Sequence, residues 1–182
     1  ELNTVRKHLS LARGGYLAKH AYPARVVSLI FSDVPGNNLE FISSGPTVKD
    51  DNTIEDAKRV ITKYNATGAG EPIVEHLIET PKEVKYFARV TNILLLTNET
   101  ALRAMVYLAS TLGLTPTIKN LSLAGEARAV GEAIVRELST APIGSVYLYG
   151  GETTVTIRGE GKGGRNQELV LGALPYLSAG EV

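Results

Sequence analysis

The chain has 182 residues, which suits one domain of ordinary size, or one domain and part of a second. Nineteen basic residues balance nineteen acidic ones, so the sequence gives no general electrostatic reason to bind nucleic acid or an anionic membrane. Hydrophobic residues make up 43% of the chain and cysteine is absent, which excludes disulfides, a thiolate nucleophile and cysteine metal sites. With no apolar run long enough to cross a bilayer and no signal peptide, we predict a cytoplasmic location.

The chain is predicted to open with a helix over residues 2–12, because apolar residues recur there at helical spacing. Arg6 and Lys7 lie off that apolar stripe, which favours a solvated cationic face. Gly14-Gly15 interrupts the pattern, and a short helix follows that ends before Pro23.

Residues 25–32 form a near-continuous apolar run, typical of a parallel strand buried on both faces. Asp33 comes directly after it, where open α/β sheets bind ligands. Asp33 could therefore hold a metal, a ribose or a substrate hydroxyl, or it could simply cap the following turn. Ser44, Gly45 and Thr47 belong to the next loop, which is either a rigid turn with donors for a ligand or a plain connection.

A capping pattern marks the next helix. Thr53 is followed three residues later by Asp56, and apolar residues continue at helical spacing to Tyr64. The segments after it are predicted to be a break at residues 68–70, a short helix over 73–78 with Glu71 and Pro72 at its start, and a loop over 80–90.

The second half of the chain alternates strands and helices. Asn98 is predicted to cap a helix that ends at Gly113. The predicted elements are a buried strand at 91–97, a helix at 99–112, a strand at 115–121, a helix at 126–138 and a strand at 145–149. This alternation predicts an α/β layered, Rossmann-like fold with a mixed, mainly parallel sheet and flanking helices.

A glycine-rich stretch closes the pattern. Gly150-Gly151 is predicted to turn the chain into a hairpin strand over residues 154–158. A glycine-rich loop then leads into a helix that starts near Arg165 or Asn166, bends at Pro175 and ends at about Ser178.

The loop before that last helix is a candidate anion site. Gly163 and Gly164 let the backbone approach a ligand, and Lys162 and Arg165 place cations beside it. A helix start aims N–H groups at the same point, which favours a phosphate or carboxylate. The spacing matches neither a P-loop nor a dinucleotide fingerprint, and a flexible solvent-exposed connection is the alternative.

Six sequence blocks in fixed order carry a resemblance to a known family. They are residues 3–10 with Gly14-Gly15, residues 32–36 (Ser-Asp-Val-Pro-Gly), 44–47 (Ser-Gly-Pro-Thr), 125–128 (Gly-Glu-Ala-Arg), 150–156 (Gly-Gly-Glu-Thr-Thr-Val-Thr) and 163–168 (Gly-Gly-Arg-Asn-Gln-Glu). Together they resemble the MOFRL-type glycerate 2-kinases, some of which are also named hydroxypyruvate reductases.

The resemblance implies that this chain is an internal fragment of a two-domain protein. Residues 1–80 would be the end of an N-terminal Rossmann-like region, and residues 81–182 the start of a C-terminal MOFRL region. A catalytic lysine and a glycine-rich serine loop would precede the chain, and a Gly-Thr-Asp-Gly segment would follow it. The complete enzyme would use ATP and Mg²⁺ to phosphorylate the 2-hydroxyl of glycerate in a cleft between domains, so the isolated chain is expected to be inactive.

The resemblance also assigns roles. Arg165 matches the active-site arginine, which would stabilise charge on the transferring phosphoryl group. Glu152 or Glu168 would orient Arg165 or reach the metal, whose protein ligands stay unknown. The substrate- and nucleotide-binding candidates are Arg6, Lys7, Asp33, Ser44, Gly45, Thr47, Glu152, Lys162, Gly163, Gly164, Asn166 and Glu168.

Two positions depart from the family pattern. Arg13 replaces the lysine often found before the first Gly-Gly, which keeps a charge but not a lysine-specific role. Asn37-Asn38 stands where an acidic residue is common, so a metal-ligand role there is doubtful.

Two other functions stay open. An NAD(P)-dependent hydroxypyruvate reductase is the first, although no strand is followed by a clear dinucleotide glycine pattern. A non-catalytic fragment that binds a nucleotide or anion is the second, and exposed apolar surface would be its mark. The expected partners are glycerate and the rest of the parent chain, with a homo-oligomer possible and neither nucleic acid nor membrane involved.

Overall fold

The computed structural model describes residues 1–64 and 73–177. The predictions for residues 68–70, 71–72 and 178 lie outside these ranges. The helices and strands are α1 (Leu2–His8), α2 (Tyr16–Ala21), β1 (Val26–Ser32), α3 (Ile54–Lys63), β2 (Val90–Thr97), α4 (Asn98–Thr111), β3 (Thr115–Leu123), α5 (Ala127–Leu138), β4 (Ser145–Gly151) and α6 (Arg165–Ala173). Short 3-10 turns lie at Pro35–Asn37, Ile42–Ser44, Ile73–His76, Val84–Tyr86 and Leu174–Tyr176.

The predicted α/β class is confirmed, but the strands are arranged in two small sheets. β1 pairs with β2, and β3 pairs with β4 in parallel. The chain divides into two compact units, the first of residues 1–32 and 37–95 and the second of residues 33–36 and the chain from Leu96 on. None of the helices in the described ranges has the length and apolar content that a membrane crossing requires.

The first unit is built on the β1–β2 pair. The Val26 N–H donates to the Arg89 carbonyl at 3.0 Å, so both strands start at the same end and run in the same direction. Helix α1 packs against α3. The buried apolar side chains of this unit are Tyr16, Ala18, Ala57 and Ile61.

The prediction that β1 is buried on both faces is wrong for this chain. Val27, Leu29 and Phe31 are 55%, 60% and 62% exposed, while the residues between them are half-buried or buried. One face of the strand packs inside the unit, whereas no layer of the described residues covers the other.

The predicted helix over residues 2–12 is shorter and turned differently. Helix α1 ends at His8, Leu2 and Leu9 are exposed, and Lys7 and His8 are buried. The predicted solvated face therefore does not hold for Lys7. The physical reason is a buried carboxylate, Asp50, which binds the Lys7 ammonium from 43 residues further along the chain.

The second unit contains a β3–α5–β4 crossover, the connection that parallel strands require. Helix α4 packs against β3 and β4, and α5 packs against α6. The buried apolar side chains here are Leu102, Ala109, Ala127, Val135, Leu148 and Ala173.

The helix starts confirm one predicted cap and correct another. Thr53 and Asp56 form the predicted capping box at α3. At α4 the cap is Thr97 rather than Asn98, and Thr100 completes the box. Because Thr97 is extended and Asn98 is already helical, the helix starts one residue earlier than predicted.

The predicted Gly150-Gly151 hairpin is wrong. Both glycines lie at the end of β4, and within the described residues the chain after them forms only one isolated bridge, between Thr154 and Glu126. That bridge is parallel, so the chain continues in the direction of β4 instead of turning back.

Candidate functional site

Three of the sequence blocks meet in the second unit. They are residues 125–128, at the start of α5, residues 150–156, at and after the end of β4, and residues 163–168, at the start of α6. Backbone hydrogen bonds and ion pairs join each block to the others. The site is therefore assembled by the crossover rather than by a single loop.

The end of β4 passes very close to β3. A Cβ atom on Gly151 would lie 2.2 Å from the Leu123 carbonyl oxygen, and Gly151 has φ of +148°. The Glu152 N–H donates to the same carbonyl at 2.9 Å. Glycine is required here because two backbones touch, and the contact fixes the point from which the Glu152 side chain leaves.

The parallel contact continues into the start of α5. Thr154 N–H donates to the Gly125 carbonyl, and Ala127 N–H donates to the Thr154 carbonyl, each at 2.8 Å. The Glu126 carboxylate accepts hydrogen bonds from the Thr156 N–H at 3.1 Å and from the Thr156 hydroxyl at 3.0 Å. Residues 152–156 are thus held along the loop that precedes α5.

Two ion pairs connect α6 to this frame. Arg165 Nη2 lies 2.8 Å from Glu152 Oε1, and Arg128 Nε lies 2.7 Å from Glu168 Oε1. Of the two acidic candidates, Glu152 is the one that contacts Arg165, whereas Glu168 binds Arg128. The side chains of Arg165 and Glu152 are 52% and 47% exposed, so the guanidinium keeps solvent-facing donors.

The glycine-rich loop before α6 is open to solvent. Lys162, Gly163, Gly164 and Asn166 are all exposed. Gly164 precedes α6 and provides no side-chain cap. The first N–H groups of α6 therefore receive no side-chain cap from Gly164.

Helices α5 and α6 touch through glycine. A Cβ atom on Gly131 would lie 2.0 Å from the Leu169 carbonyl oxygen, and one on Gly172 would lie 2.6 Å from the Arg128 carbonyl oxygen. This close packing sets the position of α6, and therefore of Arg165 at its start.

Asp33 also belongs to the second unit. Its carbonyl accepts a hydrogen bond from Asn98 Nδ2 at 3.2 Å, and its side chain is exposed. A Cβ atom on Gly150 would come within 3.4 Å of the Asn98 side chain. Asn98 thus connects Asp33 to the end of β4, a role that sequence reasoning missed because it assigned Asn98 to helix capping.

A second cluster lies in the first unit, where two loops are joined by their backbones. The N–H groups of Gly14, Gly15 and Leu17 donate to the carbonyls of Ser44, Gly45 and Pro46 at 2.9, 2.8 and 3.1 Å. Gly14, Gly15, Ser44 and Gly45 all have positive φ. The predicted rigid turn is therefore one half of a paired loop.

Buried polar side chains support this pair of loops. Lys7 Nζ lies 3.0 Å from Asp50 Oδ1, and the Thr80 hydroxyl donates to Asp50 Oδ2 at 3.2 Å. Lys7, Asp50 and Thr80 are each no more than 2% exposed. The Ser44 hydroxyl donates to Asn3 Oδ1 at 3.1 Å, which ties the second loop to α1.

The surroundings of Asp50 shift its acidity. Burial raises the pKa of the carboxyl, but hydrogen bonds from Asn52 and Lys7 together with the Lys7 charge outweigh it, so the pKa is lowered. The carboxylate is thus stabilised in its charged form. Sequence reasoning did not find Asp50 or Thr80, because neither lies in a recognised block and only the fold brings them to Lys7.

Thr47 and Arg6 have different environments. The Thr47 hydroxyl donates to Asn92 Oδ1 at 2.6 Å and accepts from the Ser28 hydroxyl at 3.2 Å, so it connects the loop to both strands of the first sheet. Arg6 is exposed on α1. Of the two basic candidates on α1, only Arg6 presents its charge to solvent.

His8 is the other buried polar residue of α1. Its Nδ1 lies 2.8 Å from the Thr4 carbonyl, which can only accept, so Nδ1 carries the proton. Its Nε2 makes no hydrogen bond within the described residues and lies 3.4 Å from Glu79 Oε1. The imidazole is enclosed by the fold and does not reach either loop surface.

The carboxylates of the second unit do not form a ready metal centre. Across residues 1–64 and 73–177, no group of three or more His, Cys, Asp or Glu side chains could hold a metal ion. Glu126, Glu152 and Glu168 each bind a donor of the protein itself.

Two known families match parts of the chain. A domain described as of unknown function, DUF4147, matches residues 1–79, and the MOFRL family matches residues 145–181. Glycerate 2-kinase from Pyrococcus horikoshii is 42% identical over 98% of this chain and 44% of its own length. A protein of Agrobacterium vitis named "Putative hydroxypyruvate reductase" is 40% identical over 94% of this chain and 41% of its own length.

A solved structure shows the same fold. The crystal structure of a glycerate kinase from Thermotoga maritima aligns with a TM-score of 0.79 and 37% identity, over 98% of this chain and 44% of that chain. The fold, together with the three sequence blocks that meet in the second unit, thus defines an α/β protein of the MOFRL class. The chain belongs to the MOFRL-type glycerate kinase family, and it spans less than half the length of these relatives.

Proposed function

We propose that the protein containing this chain is an ATP-dependent glycerate 2-kinase, which transfers the γ-phosphoryl group of ATP to the 2-hydroxyl of glycerate. The observation that carries the proposal is Arg165, held by Glu152 at the start of α6 beside an open glycine-rich loop. Relatives of matching sequence are named glycerate 2-kinase.

Arg165 has the chemistry for this role. Phosphoryl transfer develops charge on several oxygens at once, and a planar guanidinium donates to more than one of them. Glu152 pairs with Arg165 Nη2, and the Glu152 backbone is held by its hydrogen bond to the Leu123 carbonyl. We propose that this pair orients the remaining donors of Arg165 before substrate arrives.

The loop before α6 would hold the nucleotide phosphates. Lys162 supplies a cation, Gly163 and Gly164 allow close approach, and the uncapped N–H groups of α6 supply donors. Asn166 is exposed on the first turn of the same helix. Glu168 takes a positioning role in this proposal, because it binds Arg128 and so holds α6 against α5.

Mg²⁺ would accompany ATP rather than occupy a preformed protein site. Magnesium is commonly held by substrate phosphates, waters and only one or two carboxylates. Asp33, exposed beside Asn98, is the carboxylate of the second unit that we propose for such a contact. The metal would supply neutralising charge on the phosphates.

The first unit would take part through its paired loops. Ser44, Gly45 and Thr47 form a rigid loop, and we propose that this loop contacts glycerate or phosphate through its backbone. Lys7 would position the loops through Asp50, and Arg6 would contact an anion directly because it is exposed.

The reductase alternative rests on the name of the Agrobacterium vitis relative. The stretch from Gly150 to Gly164 contains no dinucleotide fingerprint. Within it, Gly151 allows the contact with Leu123, and Gly164 is the residue before α6. The absence of an NADH-dependent change in intrinsic fluorescence would count against a reductase. We also keep a cytoplasmic location and a possible homo-oligomer as parts of the proposal.

The test uses the full-length protein with ATP, Mg²⁺ and glycerate. Proton-coupled phosphorus NMR shows which carbon of the product carries phosphate. We expect 2-phosphoglycerate, lost in Arg165→Ala and kept in the control Arg103→Ala, whose side chain pairs with Glu99 on α4. A 3-phosphoglycerate signal would overturn the regiochemistry, and no transfer by a folded protein would overturn the kinase.

A further inference from the structure

Lys82 extends the buried polar cluster of the first unit, and its ammonium group is surrounded by oxygen atoms. Its Nζ lies 2.8 Å from the Asp50 carbonyl oxygen, 2.6 Å from the Thr80 hydroxyl and 3.2 Å from Glu79 Oε1, and it also donates to the Asn52 carbonyl. Among the described residues, this one nitrogen thus contacts two backbone carbonyls, a hydroxyl and a carboxylate. We call these four oxygens the oxygen cage.

The fold holds most of the oxygen cage without help from Lys82. The backbone N–H and the side-chain amide of Asn52 donate to Asp50 Oδ1 at 3.3 and 2.7 Å, which closes a turn over residues 50–52. The Thr80 hydroxyl donates to Asp50 Oδ2, which leaves its oxygen to accept from Lys82. Pro81 restricts the backbone that joins Thr80 to Lys82. Three of the four oxygens are therefore held by contacts that do not involve the lysine.

The oxygen cage needs one positive charge. Glu79 Oε2 accepts the Ile54 N–H at 3.2 Å. Burial raises the pKa of the Glu79 carboxyl, but hydrogen bonds from Ile54 and Lys82 together with the Lys82 charge outweigh it, so the pKa is lowered. The Asp50 carboxylate is already paired with Lys7, so the charge that Lys82 balances is that of Glu79. Without Lys82, a carboxylate and three further oxygens would face a space with no cation.

The oxygen cage suits K⁺ as well as it suits an ammonium group. K⁺ and NH₄⁺ carry the same charge and have nearly equal radii, and backbone carbonyls bind K⁺ in proteins by replacing its hydration shell. Lys82 has three N–H donors for four oxygens, so its contacts are not all separate, directed hydrogen bonds. A spherical cation has no such limit. Because the cage contains one carboxylate, it balances a single positive charge, which favours a monovalent cation.

We propose that the oxygen cage is a binding site for a monovalent cation, and that the Lys82 ammonium occupies it as a tethered substitute for K⁺ or NH₄⁺. The cation joins residues 50–52 to residues 79–82 and so fixes the carboxylate that pairs with Lys7. A cation on a side chain cannot dissociate, so the wild type needs no K⁺ at this site. The inference goes beyond the proposed kinase activity and does not depend on it.

The first experiment removes the tether in the full-length protein. Lys82→Ala opens the space, whereas the control Lys82→Met removes the same charge but fills the space with its own side chain. Thermal unfolding is measured at pH 8 and constant ionic strength in KCl, NH₄Cl or tetramethylammonium chloride, whose cation is too large for the cage. We expect KCl and NH₄Cl to raise the Tm of Lys82→Ala by about 2 °C or more over tetramethylammonium chloride. The wild type and Lys82→Met should differ among the three salts by less than about 1 °C.

The choice of pH removes a competing source of charge. His8 Nε2 lies 3.4 Å from Glu79 Oε1, and histidine side chains are ordinarily uncharged at pH 8. If Lys82→Ala had the same Tm in KCl and tetramethylammonium chloride, or if Lys82→Met responded to K⁺ equally, the proposal would be overturned. If Lys82→Ala is unfolded in tetramethylammonium chloride, it should refold on transfer into KCl, and a failure to refold would count equally against the site.

The second experiment locates the ion. Rb⁺ replaces K⁺ at its binding sites and scatters X-rays anomalously. Crystals of full-length Lys82→Ala grown with RbCl should show an anomalous peak in contact with the carbonyl oxygens of Asp50 and Asn52, and wild-type crystals should show none there. Rb⁺ bound only at other places in Lys82→Ala would overturn the assignment of the cage.

Discussion

Lys7 and Asp50 form an ion pair inside the first unit, although neither residue type is usually buried. Together with Thr80 they fill the space beneath the Gly14-Gly15 loop, where a Cβ on Gly14 would meet Thr80 Cγ2 at 2.8 Å. Sequence periodicity placed Lys7 in solvent because helical spacing reports apolar residues and contains no information about a distant carboxylate.

Replacing Lys7 by an apolar residue of similar size should destabilise the fold. Lys7→Met leaves the Asp50 carboxylate buried without its cation, so we expect the free energy of unfolding to fall by about 3–5 kcal/mol. Urea unfolding measures the effect, with Lys58→Met as the control because the Lys58 side chain is 42% exposed. Similar losses in the two variants would contradict a buried pair.

The same pair predicts a pH dependence. The pKa of Asp50 is lower in the folded chain than in the unfolded chain. Its contribution to the free energy of unfolding is therefore complete above the unfolded pKa of about 3.9, and it is lost as the pH falls through the folded pKa. The wild type should therefore lose stability more steeply than Asp50→Asn on acidification below about pH 4. Parallel stability curves for the two proteins would remove Asp50 as a source of acid sensitivity.

Glu152 is expected to act on catalysis through Arg165. Glu152→Ala frees the guanidinium, and misorientation of one cation should lower kcat of the full-length protein for the proposed transfer by about tenfold, with a smaller change in KM. Glu152→Asp should recover part of the loss. Steady-state kinetics measure the effect, with Glu99→Ala as the control because it frees Arg103 on α4 in the same way. An equal decrease of kcat in the control would show that the effect is only structural.

At the scale of elements, capping residues and apolar runs predicted the helices and strands that short-range interactions determine. The capping box at Thr53 was confirmed, and so was the strand β2. The predicted burial of β2 is wrong, because the four residues from Ile93 to Leu96 are 40–49% exposed. Gly150-Gly151 was predicted as a turn because glycine pairs are common in hairpins. Glycine is required at residue 151 because the backbone of Leu123, on another strand, lies too close for a side chain. A short stretch of sequence does not reveal this contact.

The contact between α5 and α6 predicts that a glycine-to-alanine substitution lowers stability, which is the opposite of its usual effect in a helix. Alanine normally favours a helix over glycine by about 1 kcal/mol. At Gly131 its methyl group would lie 2.0 Å from the Leu169 carbonyl, so Gly131→Ala should instead destabilise the second unit by at least about 1–3 kcal/mol. Thermal unfolding monitored by circular dichroism checks this, with Gly159→Ala, which meets no atom within 4 Å, as control. If the Gly131→Ala variant were more stable than the wild type, α5 and α6 would be further apart than the structure places them.

At the scale of the molecule, the chain is a portion of a longer family protein. The sequence blocks predicted the family and most candidate site residues, and the fold grouped those of the second unit around Arg165. The partners Asp50, Thr80 and Asn98 were not predicted, since each acts through a contact made only by the folded chain.

We predict that the isolated 182 residues transfer no phosphoryl group from ATP to glycerate, whereas the full-length protein does. Phosphoryl transfer needs several cations positioned together, and we expect some of them to come from the part of the family protein outside this chain. A coupled ADP-release assay on both proteins decides the matter. Equal turnover would show that the described units suffice.

The three backbone bonds between Gly14–Leu17 and Ser44–Pro46 have a consequence for hydrogen exchange. Their donors are main-chain amides, so their protection reports the separation of two loops about 30 residues apart. The amides of Gly14, Gly15 and Leu17 should exchange with deuterium at one common opening rate, and Lys7→Met should accelerate all three together. Two loops distant in sequence would then open as one cooperative unit.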